Sequence, residues 1–424
     1  MIQLTKILIS GGEVINKDFD TIKNSLLKVN QSREWIHSQK VDDLLDFFNE
    51  LGNYWKKEMS NIIGPNARYV STFLSRKYLE NKLEVALHGN RHSLDEFVDL
   101  GDNNLLLHAQ PKGLIVHWIA GNVGILGIFS LIQSLITKNV SILKAPSNYD
   151  QLILLLESFK KIKTEKIDGT KLLQCIELLY IEHNDFENQS LLSKSADVRV
   201  AWGGWDAVNT IISLPKSPFC DDIVYGPKYS YAIIDENSIL NDQKNVAQKI
   251  AVDVSMFDQY ACSSPHTVLI NTDDAIILEN FAKELGKALD NVNRILLPKP
   301  NISPEKSLEI ISLRSEFSIT GKVFSSDGVE WTVILSDDTD LASPTFSRVV
   351  HVRKLDKHKI TNIENSRKIQ TIGLSSNKNF DFLDEITFRG GDRCPQIGSM
   401  SMFDSPWDGM FGIDRMVRWI TTFK

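Results

Sequence analysis

The sequence predicts an α/β protein: an open, largely parallel sheet in the first half, a second α/β domain after it, and a helical N-terminal region. Three observations carry this. Leu114 to Ile119 is an apolar strand, Ala120 to Gly124 a tight connection, Ile125 to Thr137 an apolar helix and Val140 to Lys144 a second strand, a βαβ unit with both strands buried. Strands at Cys175 to Tyr180 and Asp197 to Trp202, separated by a polar helix near Asp185 to Ser195, extend the same sheet. Farther on, Val246, Ile250 and Val254 share one face of an amphipathic helix over Asn241 to Met256, and Thr267 to Asn271 reads as the strand that follows.

The remaining elements follow in chain order. Asp18 to about Glu84 is mostly helical, with Trp35, Leu44, Leu45, Phe48 and Trp55 on apolar faces. Such a stripe fills a core far more often than it holds a ligand. Short connecting strands are expected after His92, up to the turn at Pro111 to Gly113. Thr272 to Val292 is a long helix, and Trp331 to Leu335 and Val349 to Val352 are strands. Asp404 to Lys424 carries Trp407, Phe411, Met416, Trp419 and Ile420, so it should dock onto other elements. The expected division is 1–235 for the helices and first sheet, 236–385 for the second domain with Cys262, and 386–424 for a segment packing back on the core.

Size and composition bound the function. A chain of 424 residues exceeds one ordinary core. With 42% hydrophobic residues, 24% charged and a formal net charge of -7, it reads as a soluble globular protein without a basic nucleic-acid surface. Four cysteines at 175, 220, 262 and 394 form no close CxxC pair, and no histidine lies in an HExxH pattern, so neither a zinc site nor a disulfide scaffold is expected. A reducing, cytoplasmic setting follows. Met1 to Ile7 is unlike a signal peptide, and the longest apolar stretch, Gly113 to Val140, is interrupted by His117, Asn122, Gln133 and Lys138, so no membrane span is expected.

Chemistry concentrates at a few positions. Cys262 lies among small and polar residues between a helix and a strand, where a thiol can be aimed at a substrate, whereas a structural cysteine more often lies in an apolar run. A thiolate there could attack a carbonyl or thioester, and the resulting oxyanion would need donors such as the Cys262 N–H and Asn122. Asn122 follows the first strand of the βαβ unit, at the edge where ligands bind, though an Asn beside glycines also makes turns. Lys144 ends the next strand, cut short by Pro146, and its ammonium could meet a cofactor ribose or phosphate or remain solvated. Gly203 and Gly204 join a strand to a helix start and would admit a phosphate, although the full GxGxxG pattern is absent and a plain tight turn is equally consistent. His266 is near Cys262 in sequence, which is weak evidence that the side chains face each other.

The segments HWIAGNVGILGIFSLIQSLITKN from His117, NVSILKAPS from Asn139, AWGGWDAV from Ala201, DQYACSSP from Asp258 and DGMFGIDRMVRWI from Asp408 occur in an order that resembles the aldehyde dehydrogenase superfamily. Within it they resemble the acyl-CoA reductase family of bacterial bioluminescence, the long-chain fatty acid reductase subunit, over roughly residues 95 to 424. That resemblance implies an aldehyde dehydrogenase-like fold, with a Rossmann-type nucleotide-binding domain, a catalytic domain carrying the cysteine, and a small oligomerisation element. It implies Cys262 as nucleophile, Asn122 as oxyanion donor, Lys144 as the cofactor-ribose lysine, and Gly203 and Gly204 beside the pyrophosphate.

Two departures from ordinary aldehyde dehydrogenases sharpen the expectation. Val224 to Lys228 stands where those enzymes have Glu-Leu-Gly-Gly-Lys, and Ser343 to Val349 where they have Glu-Ile-Phe-Gly-Pro-Val, so both family glutamates are missing. Reduction of a thioester needs no base to hydrolyse an acyl-enzyme. NAD-preferring members often carry a glutamate three residues after the lysine, where this chain has Ser147, which repels a 2′-phosphate less. The expected reaction is reduction of an acyl thioester, from CoA or an acyl carrier, to an aldehyde with NADPH, NADH being possible, through acyl-Cys262. An acyl-protein synthetase partner and a homo-oligomer are also implied. The competing accounts are a CoA-acylating aldehyde dehydrogenase running toward the thioester and a nucleotide-binding scaffold that has lost its chemistry.

Overall fold

A computed structural model of the chain describes residues 5–19, 21–99, 101, 104–121, 124–299, 302–361, 368–375 and 383–424. It divides into two compact units, Met1–Gly226 with Asp404–Lys424, and Pro227–Phe403.

The first unit contains β1 (Lys6–Ser10), β2 (Glu13–Asp18), β3 (Leu105–Pro111), β4 (Leu114–Trp118), β5 (Val140–Lys144), β6 (Ile176–Tyr180), β7 (Val198–Trp202) and β8 (Asp221–Tyr225). Seven of these form a sheet of order β2-β1-β6-β5-β4-β7-β8. The strands from β6 to β8 are mutually parallel, while β1 runs antiparallel to both β6 and β2. The β1–β2 hairpin was not anticipated, although Gly11 and Gly12, both at positive φ, are the turn residues such a hairpin requires. All five residues of β4 and all of β7 are buried. The helix Gly124–Ile136 between β4 and β5 buries Ile128, Phe129, Leu131, Ile132, Leu135 and Ile136 completely, and an element apolar on all sides belongs inside.

The N-terminal helices include Lys23–Gln31, Val41–Glu58, Ala67–Leu74 and Arg76–Ala86. Leu44, Leu45, Phe48 and Trp55 are fully buried as expected, and the Trp55 indole donates to Ser158 Oγ at 2.7 Å. Trp35 is only half-buried, because its neighbour Ile36 takes the inward position. Later elements do likewise: Trp407 and Met416 are buried, and Val417–Phe423 pairs antiparallel with β3 from Val417 opposite Pro111 to Phe423 opposite Leu105.

The second unit contains β9 (Tyr229–Asp235), β10 (Pro265–Asn271), β11 (Lys322–Ser325), β12 (Thr332–Leu335), β13 (Val349–Lys354) and β14 (Ile369–Leu374), in the order β11-β12-β13-β10-β9-β14. All neighbours are parallel except β11 with β12. Ala232, Ile234, Val268 and Ile270 face a core shared with the helices Glu236–Ser255 and Ala275–Ile295, while Tyr231, Ile233 and Leu269 face a second core with Ile369, Ile372 and Ile386. The alternation is the period-2 consequence of a sheet buried on both faces.

The division between units differs from the sequence expectation at both ends. Strand β9 lies between β10 and β14, so the boundary falls at 226/227, ahead of 235/236. Residues 386–403 stay with the second unit, where the buried Asp253 carboxylate accepts from the N–H of Gly398 at 2.5 Å and of Met400 at 3.0 Å. Among the described residues, no helix is long and apolar enough to cross a membrane.

Candidate active site

Cys262 lies in the short connection from the helix Glu236–Ser255 to β10, at the edge where β9, β10 and β14 begin. It is half-buried, whereas Cys175 and Cys220 are buried. Burial raises the Cys175 thiol to about 12, the Cys394 thiol to about 11, and the Cys220 thiol above its ordinary value, so those three resist ionisation. Among the described residues, the side chains of Ser230 and Gln370 hold Cys262. Ser230 Oγ donates to its carbonyl oxygen at 2.6 Å and itself accepts from Thr371 N–H at 3.1 Å. Gln370 Nε2 donates to Cys262 Sγ at 3.0 Å.

Both flanks of β9 are irregular at this level. Against β14 the register passes from Tyr229–Ile369 to Ser230–Thr371, leaving Gln370 as an extra residue; against β10 it passes from Ser230–Pro265 to Tyr231–Thr267, leaving His266. Such bulges interrupt the ladder and re-aim a side chain. They explain why neither residue obeys simple alternation. The described contacts of the His266 ring are the rings of Tyr229 and Phe346, and burial pushes its imidazole down to about 4, so it is neutral.

A pair of left-handed turns braces the approach to Cys262. Phe257, Asp258 and Gln259 have φ of 51°, 53° and 67°, and Phe346, Ser347 and Arg348 have 61°, 53° and 60°. Six non-glycine residues in this region are costly and must be held by their surroundings. Arg348 Nε donates to Asp258 Oδ1 at 2.8 Å, Gln259 Nε2 donates to the carbonyls of Pro265 and Val349, Val349 N–H returns a bond to Gln259 Oε1, and Tyr260 stacks on Phe346. Sequence reasoning missed Gln259, Asp258 and Arg348 because their partners are 90 residues away along the chain. Gln370 and Ser230 were missed too. The one available signal was an amide inside the apolar run Ile369 to Leu374, a polar group that burial obliges to find a partner.

In the first unit the order β6-β5-β4-β7-β8 reverses direction between β4 and β7, and ligands of open α/β sheets bind outside the carboxyl ends at such a point. Gly203 and Gly204 follow β7, and Lys144 ends β5, opposite Trp118 of β4. Lys144 is partly buried, and desolvation lowers its ammonium below the ordinary lysine value against an opposing effect of Glu182. Ser147 is exposed in the next loop, where Asn148 Nδ2 donates to the Gly121 carbonyl at 3.0 Å. Gly204 is the N-cap of Trp205–Ser213, has no side-chain cap, and meets open space where a Cβ would project. The unit thus brings Lys144, Ser147, Gly203 and Gly204 to one sheet edge. Asn122 lies outside the described residues. Val224 lies in β8.

Comparison with known proteins accords with this architecture. The acyl-CoA reductase (LuxC) family profile matches residues 36–419. The long-chain acyl-protein thioester reductase of Aliivibrio fischeri is 27% identical over 406 residues, covering 90% of this chain and 82% of that protein. Its counterpart in Photobacterium phosphoreum is 28% identical over 416 residues, covering 96% and 81%. Among solved structures, a 1-pyrroline-5-carboxylate dehydrogenase from Thermus with bound NAD superimposes with a TM-score of 0.65 at 13% identity, covering 99% of this chain and 90% of that one, a likeness that shows the aldehyde dehydrogenase-like fold. With the family profile matched over residues 36–419, the chain belongs to the acyl-CoA reductase (LuxC) family and is an oxidoreductase.

Proposed function

We propose that this protein reduces an acyl thioester, of a fatty acyl-CoA or an acylated carrier or protein, to the aldehyde with NADPH through an acyl-Cys262 intermediate. The observation that carries this reading is the setting of Cys262, a half-buried thiol whose sulfur accepts from the Gln370 amide at 3.0 Å, in a chain whose resemblance sets Val224 and the segment from Ser343 at the two family glutamate positions. A nucleophile without the glutamate that activates water could exchange acyl groups between thiols while leaving the acyl-enzyme unhydrolysed. The naming of the Aliivibrio relative as an acyl-protein thioester reductase supports the same substrate class.

Cys262 sulfur attacks the acyl carbonyl, the C–S bond to the donor breaks, and the donor leaves as a thiol after taking one proton. Asn122 and the Cys262 N–H are the proposed donors to the oxyanion. When bound, a nicotinamide would supply a hydride, and its fit rests on the open approach to Gly204 at a helix start without a side-chain cap, where Gly203 and Gly204 would hold the pyrophosphate, Lys144 the ribose and Ser147 a 2′-phosphate. The acyl-Cys262 carbon gains that hydride, the resulting thiohemiacetal oxyanion collapses, and aldehyde departs with restoration of the Cys262 thiolate. One proton and one hydride are consumed for each thioester.

Mixing the protein with NADPH and acyl-CoA or acyl-carrier thioesters of several lengths should oxidise one NADPH per aldehyde formed. Mass spectrometry without reductant should place the acyl group on Cys262. Absence of turnover with every donor, or turnover retained by Cys262→Ala, rejects the reading. Participation of an acyl-protein synthetase, a homo-oligomeric state and a cytoplasmic location complete the proposal.

A further inference from the structure

We propose that Gln370 is a catalytic residue that holds Cys262 as its thiolate, through a relay beginning at the Arg393 guanidinium. Resting on the reading of Cys262 as the acyl acceptor, it adds the group that readies the sulfur. The direction of every hydrogen in the relay is set by the chemistry of its members. Arg393 can only donate, and its Nη1 lies 3.1 Å from Thr371 Oγ1, while its guanidinium also donates to the carbonyls of Met400 at 3.2 Å and Met402 at 2.9 Å. The Thr371 hydroxyl, accepting from Arg393, donates to Gln370 Oε1 at 3.3 Å. With its oxygen so engaged, the carboxamide turns its NH2 to Cys262 Sγ at 3.0 Å. A donor facing sulfur favours the anion over the thiol.

Three further features belong to the same device. Gln370 is fully buried, so water does not compete for its amide. It is the extra residue of the bulge between β9 and β14, the irregularity that points it toward the thiol. Its neighbour Thr371 holds Ser230, which in turn holds the Cys262 carbonyl, so adjacent residues of β14 fix both the side chain and the main chain of the nucleophile. Among the described residues, His266 is neutral, and burial raises the Tyr229 phenol above its ordinary value. A neutral amide has an advantage over a base here. It stabilises the thiolate without activating water against the acyl-enzyme.

The test is the pH dependence of Cys262 alkylation by iodoacetamide on the full chain, located by mass spectrometry. The parent should show a half-maximal rate below about pH 8.5, the free-thiol value. Gln370→Met, close in volume, should raise that midpoint by about one pH unit, and Gln370→Glu by more, since a carboxylate repels the thiolate. Thr371→Val should give a smaller rise. A parent midpoint at or above that of free cysteine overturns the proposal whether or not the variants fold; so do folded variants with the parent's profile. Alkylation requires neither acyl donor nor cofactor. Shifted midpoints without turnover would therefore reject the proposed reaction and keep the relay, and turnover through acyl-Cys262 with unshifted midpoints would do the reverse.

Discussion

Replacing Arg348 with methionine should unfasten the paired turns before Cys262. The Arg348 and Asp258 side chains are 2% and 9% exposed and meet at 2.8 Å, and Arg348 also donates to the Leu297 carbonyl at 2.8 Å and to Asn293 Oδ1 at 3.2 Å. Arg348→Met would leave a buried carboxylate without its cation, a loss that costs about 3–5 kcal/mol. The left-handed residues at 257–259 and 346–348, which cost of order 1–3 kcal/mol each, would then lose one of the bonds that hold them, so part of the penalty should appear as local loosening rather than global unfolding. Urea unfolding should show a lowered midpoint, and hydrogen exchange should accelerate in both turns before it does elsewhere in the unit. In a double-mutant cycle, Asp258→Leu with Arg348→Met should recover most of the loss, because the pair disappears together with its desolvation. A cost below about 1 kcal/mol for Arg348→Met, or additive effects in the double variant, would refute the account of the turns as braced by this pair.

Acidification should weaken the fold through its buried histidines, against an opposing contribution from Asp253, whose carboxyl burial raises to about 7. Burial depresses His117 to about 3 and His266 and His351 to about 4, so above pH 6.5 all three are neutral whether folded or unfolded, and as pH falls below it the unfolded chain takes up protons that the folded chain refuses. The loss at pH 4 is about 3 kcal/mol for His266 alone, checked by urea midpoints at pH 7 and pH 5 and by His266→Gln, which should flatten the dependence. Cys262→Ala should abolish aldehyde formation by a factor of about 10³ or more in steady-state assays while leaving the urea midpoint nearly unchanged. Ser147→Glu should cut kcat/KM for NADPH about tenfold with a smaller effect for NADH, and Lys144→Ala should raise KM for both cofactors; equal effects of Ser147→Glu on the two would remove Ser147 from the cofactor site.

Much of this architecture was legible along the chain. The strand Val140–Lys144 has the expected limits, and β4, β6, β7 and β10 lie within two residues of theirs, because uninterrupted apolar runs ended by Gly, Pro and Asp admit few alternatives. The hairpin β1–β2 and strands β9 and β14 were harder. Tyr229 to Asp235 carries no polar alternation because both its faces are buried, and a run of that kind announces neither its strand character nor its sheet. Misplacement of the 226/227 boundary follows directly from overlooking β9.

Local order determined that Cys262 would stand between a helix and a strand, that Lys144 would end one parallel strand and that Gly203-Gly204 would follow another. Those features depend on neighbours a few residues apart, whose spacing is written in the chain. What surrounds the thiol was decided only in three dimensions. Gln370 reaches Cys262 from 108 residues away because a bulge in β14 shifts its register by one position, and Arg348 reaches Asp258 across 90 because two strained turns face each other. Register, and with it the direction of each side chain, is set by the pairing of distant strands, so the hydrogen bond to the sulfur comes into being only when the second sheet closes.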